Sequence, residues 1–403
     1  MSNPFPITRP RPGHGIIELA LLPPSTPVLR TLAYQYPLKL ISPAALALSN
    51  ENEAAHLIHT IFVLTYGGGL VAGDSIDLHV SLAGATRLVM LTQGSTKIFK
   101  SPNRDVVTRQ SMSMEIAPGA GLVYLPDPVQ PFEKSAFEQR QVYNIVVPGG
   151  GVDDEGQQLG SLCALDWVCE GRSARGEKWS FWRYASRNEV FIVSAGDGQQ
   201  QNGDGELGEQ GKTGQQKRLL LRDNVLLDAV EEGIVDGIAS RMDNLGVFGT
   251  LILYGELFSS LSLFFMDEFK LIPRIGARKW DTGSDSGTEE EVDQAEVGRK
   301  ARQKQETVDG LLWTAASVRG CVVVKFGARE VEGDGDDVLI AKFGVQLGHL
   351  RWDRDFKTTE KMAMMLREVM QLPAQRVEKT KHPLRRDGGD YHAIVCLAVS
   401  HEG

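Results

Sequence analysis

Short segments of alternating polar and apolar residues, separated by glycine, proline and aspartate turns, dominate this chain. Two neighbouring stretches, 82–91 and 116–125, repeat each other after about 34 residues, each with a glycine-alanine turn between two apolar runs. Alternation with period two is the pattern of a strand with one buried face. A repeated strand–turn–strand unit predicts stacked hairpins, and therefore a mainly β fold.

Helical periodicity is confined to two segments of the C-terminal half, 256–269 and 359–371. Most amphipathic helices bury their apolar face, so we interpret each apolar stripe as core rather than as a partner groove. The sequence thus predicts a large β-rich body with two α-helices. The apolar stripes consist of Leu257, Leu261, Phe264 and Phe265 in the first helix and Met362, Met365, Leu366 and Met370 in the second.

Three polar stretches interrupt the strand pattern, near 149–160 and 196–217 and at 281–308. They contain few apolar residues, so burial cannot offset the entropy lost on ordering them, and we predict disordered surface segments. The predicted organisation is a β-rich body over 1–280, a disordered loop over 281–308, and a C-terminal part over 309–403 whose strands and helix pack on the same body.

A glycine-rich loop at 66–74 has the G-x-G-x-x-A spacing of a dinucleotide-binding turn. In such a site the pyrophosphate rests on the N-terminus of a following helix, but here 75–82 alternates like a strand. The ribose-binding acid expected about 20 residues later is also missing, because 91–94 reads Leu-Thr-Gln-Gly. We interpret this loop as a tight turn that requires glycine at several positions. The glycines are Gly67, Gly68, Gly69 and Gly73.

Catalytic and metal-binding motifs are missing from the sequence, apart from the spacing of His56 and His59, which we interpret as a structural or surface pair. The stretch 205–213 resembles a P-loop, but five residues rather than four separate its first glycine from the Gly-Lys-Thr. Neither the G-x-S-x-G motif of hydrolases nor the H-E-x-x-H motif of zinc proteases occurs. Cys163 and Cys169 share one face of a predicted strand but lie about 20 Å apart, too far to hold one ion. We predict core thiols, no tightly bound cofactor and no enzymatic activity.

Charge and hydropathy restrict the partners of the chain. Its 403 residues are 42% hydrophobic and carry a net charge of -9, which argues against a broad nucleic-acid interface. The proline-rich residues 1–10 lack the apolar run of a signal peptide, and no uncharged segment has the length of a membrane span. We expect a cytoplasmic protein that binds neither nucleic acid nor membrane.

Several ordered motifs together resemble the UreD family of urease accessory proteins, called UreH in some lineages. The resemblance is carried by 67–74, 91–101, 125–132 and 166–177, which reads D-W-V-C-E-G-R-S-A-R-G-E. It is strong from about Gly13 to Leu227 and weaker after Arg241. The polar insertions make the chain longer than compact bacterial members, which suggests a fungal-like eukaryotic member. The resemblance implies a β-rich fold with two helices and a non-enzymatic role as a urease maturation chaperone.

The same resemblance implies partners and a cargo. It predicts a scaffold that binds apo-urease, a UreF-like protein and, through it, a UreG-like GTPase, and that assists nickel delivery. Carboxylates and hydroxyls bind Ni²⁺ less tightly than thiolates or several imidazoles, so they suit an ion in transit. The residues matching the proposed nickel path are Asp74, Thr96, Asp166, Glu177 and Asp223; the matching structural positions include Lys97, Gly171, Arg172 and Gly176.

Structural explanations compete with the nickel path at most of these positions. Asp74 can cap its own turn, Lys97 and Asp166 can form a buried pair, and Glu177 can bind Arg172 across its turn. A β-rich adaptor without any metal role is therefore one alternative function. Another is an enzyme, either a dinucleotide-dependent oxidoreductase that uses the glycine loop or a hydrolase that uses Lys97 with Ser95.

Overall fold

The computed structural model describes residues 11–50, 53–147, 159–194, 216–229, 237–243, 245–272, 299–300, 303–304, 306–308 and 310–329. Its strands are β1 His14–Leu22, β2 Thr26–Tyr34, β3 Leu38–Ile41, β4 Leu46–Asn50, β5 Glu53–Thr65, β6 Gly69–Leu70, β7 Ser75–Leu82, β8 Arg87–Leu91, β9 Thr96–Ile98, β10 Thr108–Ile116, β11 Gly121–Leu125, β12 Val129–Pro131, β13 Ala136–Val147, β14 Ser161–Cys169, β15 Arg183–Ser194, β16 Gln216–Asp228, β17 Val247–Tyr254, β18 Leu312–Val318 and β19 Cys321–Ala328. The α-helices are α1 Ile238–Arg241 and α2 Ser259–Lys270, and single 3₁₀ turns span Tyr66–Gly68, Ser173–Arg175 and Glu256–Phe258.

The strands form two sheets that enclose the main core. Sheet A has seven strands in the order β16-β15-β13-β10-β7-β1-β2. Sheet B has twelve, eight of them in the order β18-β19-β17-β14-β11-β8-β5-β3, with β4, β6, β9 and β12 beside them. The chain alternates between the sheets as it passes from β7 to β8, from β10 to β11 and from β13 to β14. The predicted mainly β class is confirmed.

The sequence repeat corresponds to stacked strands, but these strands are not hairpins. Paired residues are 34 positions apart in both sheets, Ser75 with Arg109 and Arg87 with Gly121, which matches the repeat length. Both pairings are parallel, because the two strands joined by each turn enter opposite sheets. The predicted hairpin pairing is therefore wrong. A strand buried on one face cannot indicate from its own pattern which neighbour it pairs with.

A second core lies between sheet B and α2. There, Leu261 and Phe265 of the helix and Phe258 before it pack with Val89 and Val123 of the sheet. The helix predicted over 256–269 is confirmed as the 3₁₀ turn followed by α2, with its apolar stripe packed on this core, Leu261 and Phe265 buried and Leu257 and Phe264 partly buried. The helix predicted over 359–371 lies outside the described residues.

The predicted insertions lie largely outside the described residues. At their edges the structure differs from the prediction: β16 begins at Gln216, and residues 299–300, 303–304 and 306–308 are helical. Strands β18 and β19 extend sheet B by pairing onto β17. The division into segments otherwise remains a prediction. No helix in the described part of the chain is long and apolar enough to cross a membrane.

Candidate functional site: a buried polar seam between the sheets

The inner face of sheet A carries polar side chains where an apolar core would be expected. Along β13, Gln139 and Gln141 take inward positions between Phe137 and Tyr143, and all four are buried. In β15 the inward positions hold Ser186 and Asn188, also buried. The parallel register places Gln139 beside Ser186 and Gln141 beside Asn188. The two strands thus present a contiguous band of hydrogen-bonding groups to sheet B.

Asp166 of sheet B faces this band and accepts all of its hydrogen bonds from neutral groups. Its Oδ1 accepts from Gln139 and, at 3.3 Å, from the Tyr184 hydroxyl. Its Oδ2 accepts from Ser186 and, at 2.6 Å, from Asn188 Nδ2. Among the described residues Asp166 has no ion-pair partner. When it is ionised, a carboxylate that only accepts hydrogen bonds and has no cation beside it carries a negative charge that is open to a cation.

The electrostatics of Asp166 reflect this environment. Burial raises the pKa of Asp166, hydrogen bonds from Ser186 and Asn188 lower it, and the nearby charge of Asp223 raises it further. Asn188 contributes a second feature, because its Oδ1 is buried and has no hydrogen-bond partner among the described residues. That oxygen and the Asp166 carboxylate are both groups that a water molecule or a cation would satisfy.

Asp223 lies next to Asp166 but is neutralised. It accepts hydrogen bonds from Thr250 Oγ1 at 3.0 Å and from Lys325 Nζ at 2.6 Å. Strand register explains the proximity: Asn188 pairs with Asp223 in sheet A, and Asp166 pairs with Thr250 in sheet B. Asp223 is 8% exposed, whereas the Lys325 side chain is 37% exposed and reaches towards the surface.

Thr96 reaches the same region through a small cavity. The volume within which the centre of a water molecule can lie is about 10 Å³, which is roughly enough for one water molecule. We call the continuous set of polar residues around and beyond it the polar seam. It runs from half-buried Thr96 to Lys325 and consists of Thr96, Gln139, Gln141, Asp166, Tyr184, Ser186, Asn188, Asp223, Thr250 and Lys325.

Three of the five predicted path residues, Thr96, Asp166 and Asp223, therefore lie in one seam. The sequence did not predict the uncharged polar residues that connect them in the polar seam, such as Gln139, Asn188 and Thr250. A signal was present: β13 and β15 place two polar residues each at consecutive inward positions of an otherwise apolar face. Such positions are unfavourable for polar groups unless they find partners, so they mark a buried network.

Asp74 lies in the turn of the glycine loop, and its hydrogen bonds are local. Its Oδ2 accepts from the backbone N–H of Val71 at 2.9 Å, which confirms the predicted turn cap. No helix follows the loop, since β6 and then β7 come next. Gly67, Gly68 and Gly73 have φ values of 77°, 71° and 86°, a region that favours glycine. The loop therefore lacks the following helix that the hypothesis of dinucleotide binding requires.

Glu177 is held by Arg172 in a second turn. Arg172 Nε donates to Glu177 Oε2 at 2.9 Å and its NH2 group donates to Oε1, while the backbone N–H of Glu133 donates to Oε2 at 3.1 Å. Gly171 and Gly176 have φ values of 116° and 74°, so both require glycine-like backbone. The predicted Arg172–Glu177 pair is confirmed, and the hydrogen bonds of Glu177 go to this turn rather than to the polar seam.

Lys97 does not pair with Asp166. In β9 the side chain of Ile98 is buried, whereas that of Lys97 is exposed. Alternation along a strand sends consecutive side chains to opposite faces, so Lys97 points away from the interior. The predicted Lys97–Asp166 pair is wrong for this reason.

The described thiols belong to the core. Cys163, Cys169 and Cys321 are all buried. Burial raises the pKa of Cys163 and Cys321 to about 12 and that of Cys169 to about 11. Metals bind the thiolate rather than the thiol, so these groups are poor ligands at neutral pH. The prediction of core thiols is confirmed for these three residues.

The Arg172–Glu177 pair makes a testable contribution to stability. Hydrogen bonds from Arg172 lower the pKa of Glu177, so its ionised form stabilises the fold above the unfolded-state pKa and this contribution disappears as pH falls through the folded-state pKa. We expect Glu177→Gln to lower the free energy of unfolding by about 1 to 2 kcal/mol at pH 7. Measured by urea unfolding, the difference should be constant above about pH 4.5, the ordinary pKa of a glutamate, and should shrink as pH falls below it.

Asp267→Asn is the matched control, because Asp267 forms an ion pair with Lys270 at 2.8 Å on the exposed surface of α2. Exposed pairs contribute little, so this variant should change stability by less than about 0.5 kcal/mol. A Glu177→Gln variant that is as stable as the wild type at pH 7 would show that the turn does not depend on the pair.

The amino-acid sequence of the chain was compared with known protein families and proteins. The chain matches the family described as UreD urease accessory protein over residues 14–333. It is 38% identical over 163 residues to urease accessory protein UreD of Sorangium cellulosum, covering 40% of this chain and 45% of that protein. It is 31% identical over 260 residues to urease accessory protein 4 of Cryptococcus neoformans, covering 58% and 68% respectively.

Similarity extends to plants, with 29% identity over 221 residues to urease accessory protein D of Arabidopsis thaliana, covering 55% of this chain and 61% of that protein. The aligned part thus spans about half to two thirds of these relatives. The family match includes the glycine loop, the polar seam and the Arg172–Glu177 turn. By this match over most of its length, the chain belongs to the UreD family of urease accessory proteins.

Proposed function

We propose that the chain is a non-enzymatic urease maturation chaperone of the cytosol, and that its polar seam carries nickel ions towards apo-urease. Membership of the UreD family supports a role in urease maturation. The observation that carries the nickel proposal is Asp166, a buried carboxylate surrounded by neutral hydrogen-bond donors. In its ionised form Asp166 attracts a cation electrostatically, and an arriving cation in turn favours that ionised form.

The chemistry of the seam suits passage rather than retention. Its oxygen donors are carboxylates, amides and hydroxyls, which hold a first-row divalent ion less tightly than thiolates or several imidazoles do. Neighbouring Asp166 and Asp223 would offer two successive anionic positions. Lys325 neutralises Asp223, so an arriving ion would compete with that ammonium group and the two positions would differ in strength.

Both ends of the seam reach partly exposed residues, Thr96 at one end and Lys325 at the other. A path that enters at one partner and leaves at another requires such an arrangement. We propose apo-urease as one partner, and a UreF-like scaffold, which would recruit a UreG-like GTPase, as the other. In this scheme nickel is cargo, and the chain keeps no tightly bound cofactor.

The second candidate is a β-rich adaptor that binds the same partners without conducting metal. It is favoured by the local structural roles of Asp74 and Glu177, which take two of the five predicted path residues out of the seam. The two candidates differ in what a change inside the seam does. An adaptor tolerates loss of the buried charge if its surface is unchanged, whereas a conduit does not.

Deleting the gene tests the shared part of the proposal. We expect the deletion strain to contain normal amounts of urease polypeptide that lacks nickel and activity, because metal insertion, not synthesis, would fail. Urease should be quantified by immunoblotting and its nickel by mass spectrometry after purification. The wild-type gene on a plasmid should restore both nickel and activity. Fully nickel-loaded urease in the deletion strain would contradict a maturation role.

A further inference from the structure

Two histidines and an aspartate meet on the outer face of sheet A, on the opposite side from the polar seam. His14 is in β1, and Asp77 and His79 are two positions apart in β7. Residues two apart in a strand share a face, and the parallel pairing of β1 with β7 places His14 directly beside Asp77. Three potential metal ligands are thus fixed on adjacent, paired strands in the body of the sheet.

The ligand atoms are close to the separations found around one ion. His79 Nε2 lies 3.4 Å and His14 Nδ1 lies 3.9 Å from Asp77 carboxylate oxygens, and the two imidazole centroids are 5.6 Å apart. Ligands at about 2.1 Å from a metal are about 3.0 Å apart at a right angle and about 3.4 Å apart at the tetrahedral angle. Small side-chain rotations would therefore bring all three atoms onto a single ion.

The surroundings favour a cation and leave room for one. The ion pairs of Asp77 within the described residues are with these two histidines, not with a lysine or arginine. Its register neighbour on β10 is Ser111, and that of His79 is Ser113, so both are uncharged. Asp77 and His79 are about half exposed and His14 about one third exposed, which leaves coordination positions open to solvent.

We propose that His14, Asp77 and His79 bind one divalent first-row transition ion on the outer face of sheet A. Two imidazoles and one carboxylate suit Ni²⁺, Zn²⁺ or Cu²⁺, whereas Mg²⁺ and Ca²⁺ prefer all-oxygen sites. The remaining positions are filled by water, so the ion is exchangeable. The site does not depend on the polar seam or on the proposed function, because the seam side chains project into the interior.

Equilibrium dialysis of the untagged full-length chain against Ni²⁺, and separately Zn²⁺, tests the site. We expect the wild type to hold one more equivalent of ion than His79→Gln or Asp77→Asn, or to bind that equivalent at least tenfold more tightly. Glu115→Gln is the matched control, since Glu115 is an exposed carboxylate on the neighbouring strand β10. This variant should bind as the wild type does.

X-ray absorption at the nickel edge gives an independent readout. Subtracting the spectrum of His79→Gln from that of the wild type isolates the ion that the variant no longer binds. This difference spectrum should show scattering from imidazole ligands. Each variant should melt within a degree or two of the wild type in metal-free buffer, because the changed side chains are largely exposed. Identical stoichiometry and affinity in the wild type, His79→Gln and Asp77→Asn would overturn the proposal and leave a hydrogen-bonded surface cluster.

Discussion

Asp166→Asn is expected to lower the nickel content of urease at least tenfold while the variant still folds and still captures its partners. The substitution removes the buried charge but keeps the shape of the side chain. A unit charge 4 Å from an ion contributes about 4 kcal/mol per charge on the ion at an effective dielectric constant of 20, and each 1.4 kcal/mol is a factor of ten. Rotation of the Asn188 amide by 180° would turn its unpaired Oδ1 towards residue 166, where it could accept a hydrogen bond from the new amide.

The measurement is the nickel content of urease purified from cells that carry each variant in place of the wild-type gene. Thermal stability and the yield of the partner complex must be recorded beside it. The matched control is Asp267→Asn, which makes the same chemical change at an exposed carboxylate on α2, outside the polar seam and the His14–Asp77–His79 cluster. If urease from the Asp166→Asn strain is fully loaded, the buried charge is not part of a nickel path and the chain acts as an adaptor.

Asp166→Leu should behave differently and strongly destabilise the chain. Leucine accepts no hydrogen bonds, so the donors of Ser186 and Asn188 would lose their acceptor inside the protein, whereas Gln139 would keep Tyr184 and Ser186 as partners. Each buried unsatisfied donor costs about 1 to 3 kcal/mol, and the whole fold is stable by only about 5 to 15 kcal/mol. Loss of activity in this variant would therefore report on folding, which is why the asparagine variant carries the functional test.

Gly69→Val is expected to destabilise the chain by about 3 kcal/mol or more and to lower its soluble yield. A Cβ atom at this buried position would lie 2.6 Å from the carbonyl oxygen of Lys97 and 2.8 Å from the ring of Phe99. Contacts this short force the backbone of β6 away from β9, and overpacking of this kind typically costs 1 to 3 kcal/mol before the lost strand pairing is included. Urea unfolding of the purified variant measures the effect.

Gly67→Ala tests, in the same loop, the effect of a left-handed backbone conformation without the effect of a close contact. Gly67 has a φ of 77°, but a Cβ atom there would meet nothing within 4 Å. The cost should be only the left-handed conformation, about 1 kcal/mol. Equal destabilisation by the two variants would show that the loop does not depend on the contact between Gly69 and β9. Neither variant should change nucleotide binding, since no helix N-terminus follows the loop.

Local patterns in the sequence were sufficient for part of this structure. Alternation and turn residues predicted the strands, and the 3.6-residue period predicted α2 with its buried face. The cap of Asp74 joins residues three positions apart, and the Arg172–Glu177 pair joins residues five apart. Interactions over so few residues depend on the local chain path, which turn chemistry largely fixes.

Only the tertiary structure decided which strands became neighbours, and with that the polar seam. The side-chain hydrogen bonds of Asp166 and Asp223 join residues from 18 to 102 positions apart, in strands of both sheets. Alternation reveals that Gln139 and Asn188 face inward, but it does not reveal that Asp166 lies opposite them. That choice is made by the pairing of whole strands in the two sheets, which buries their facing apolar sides and in doing so gathers the polar groups into one continuous network.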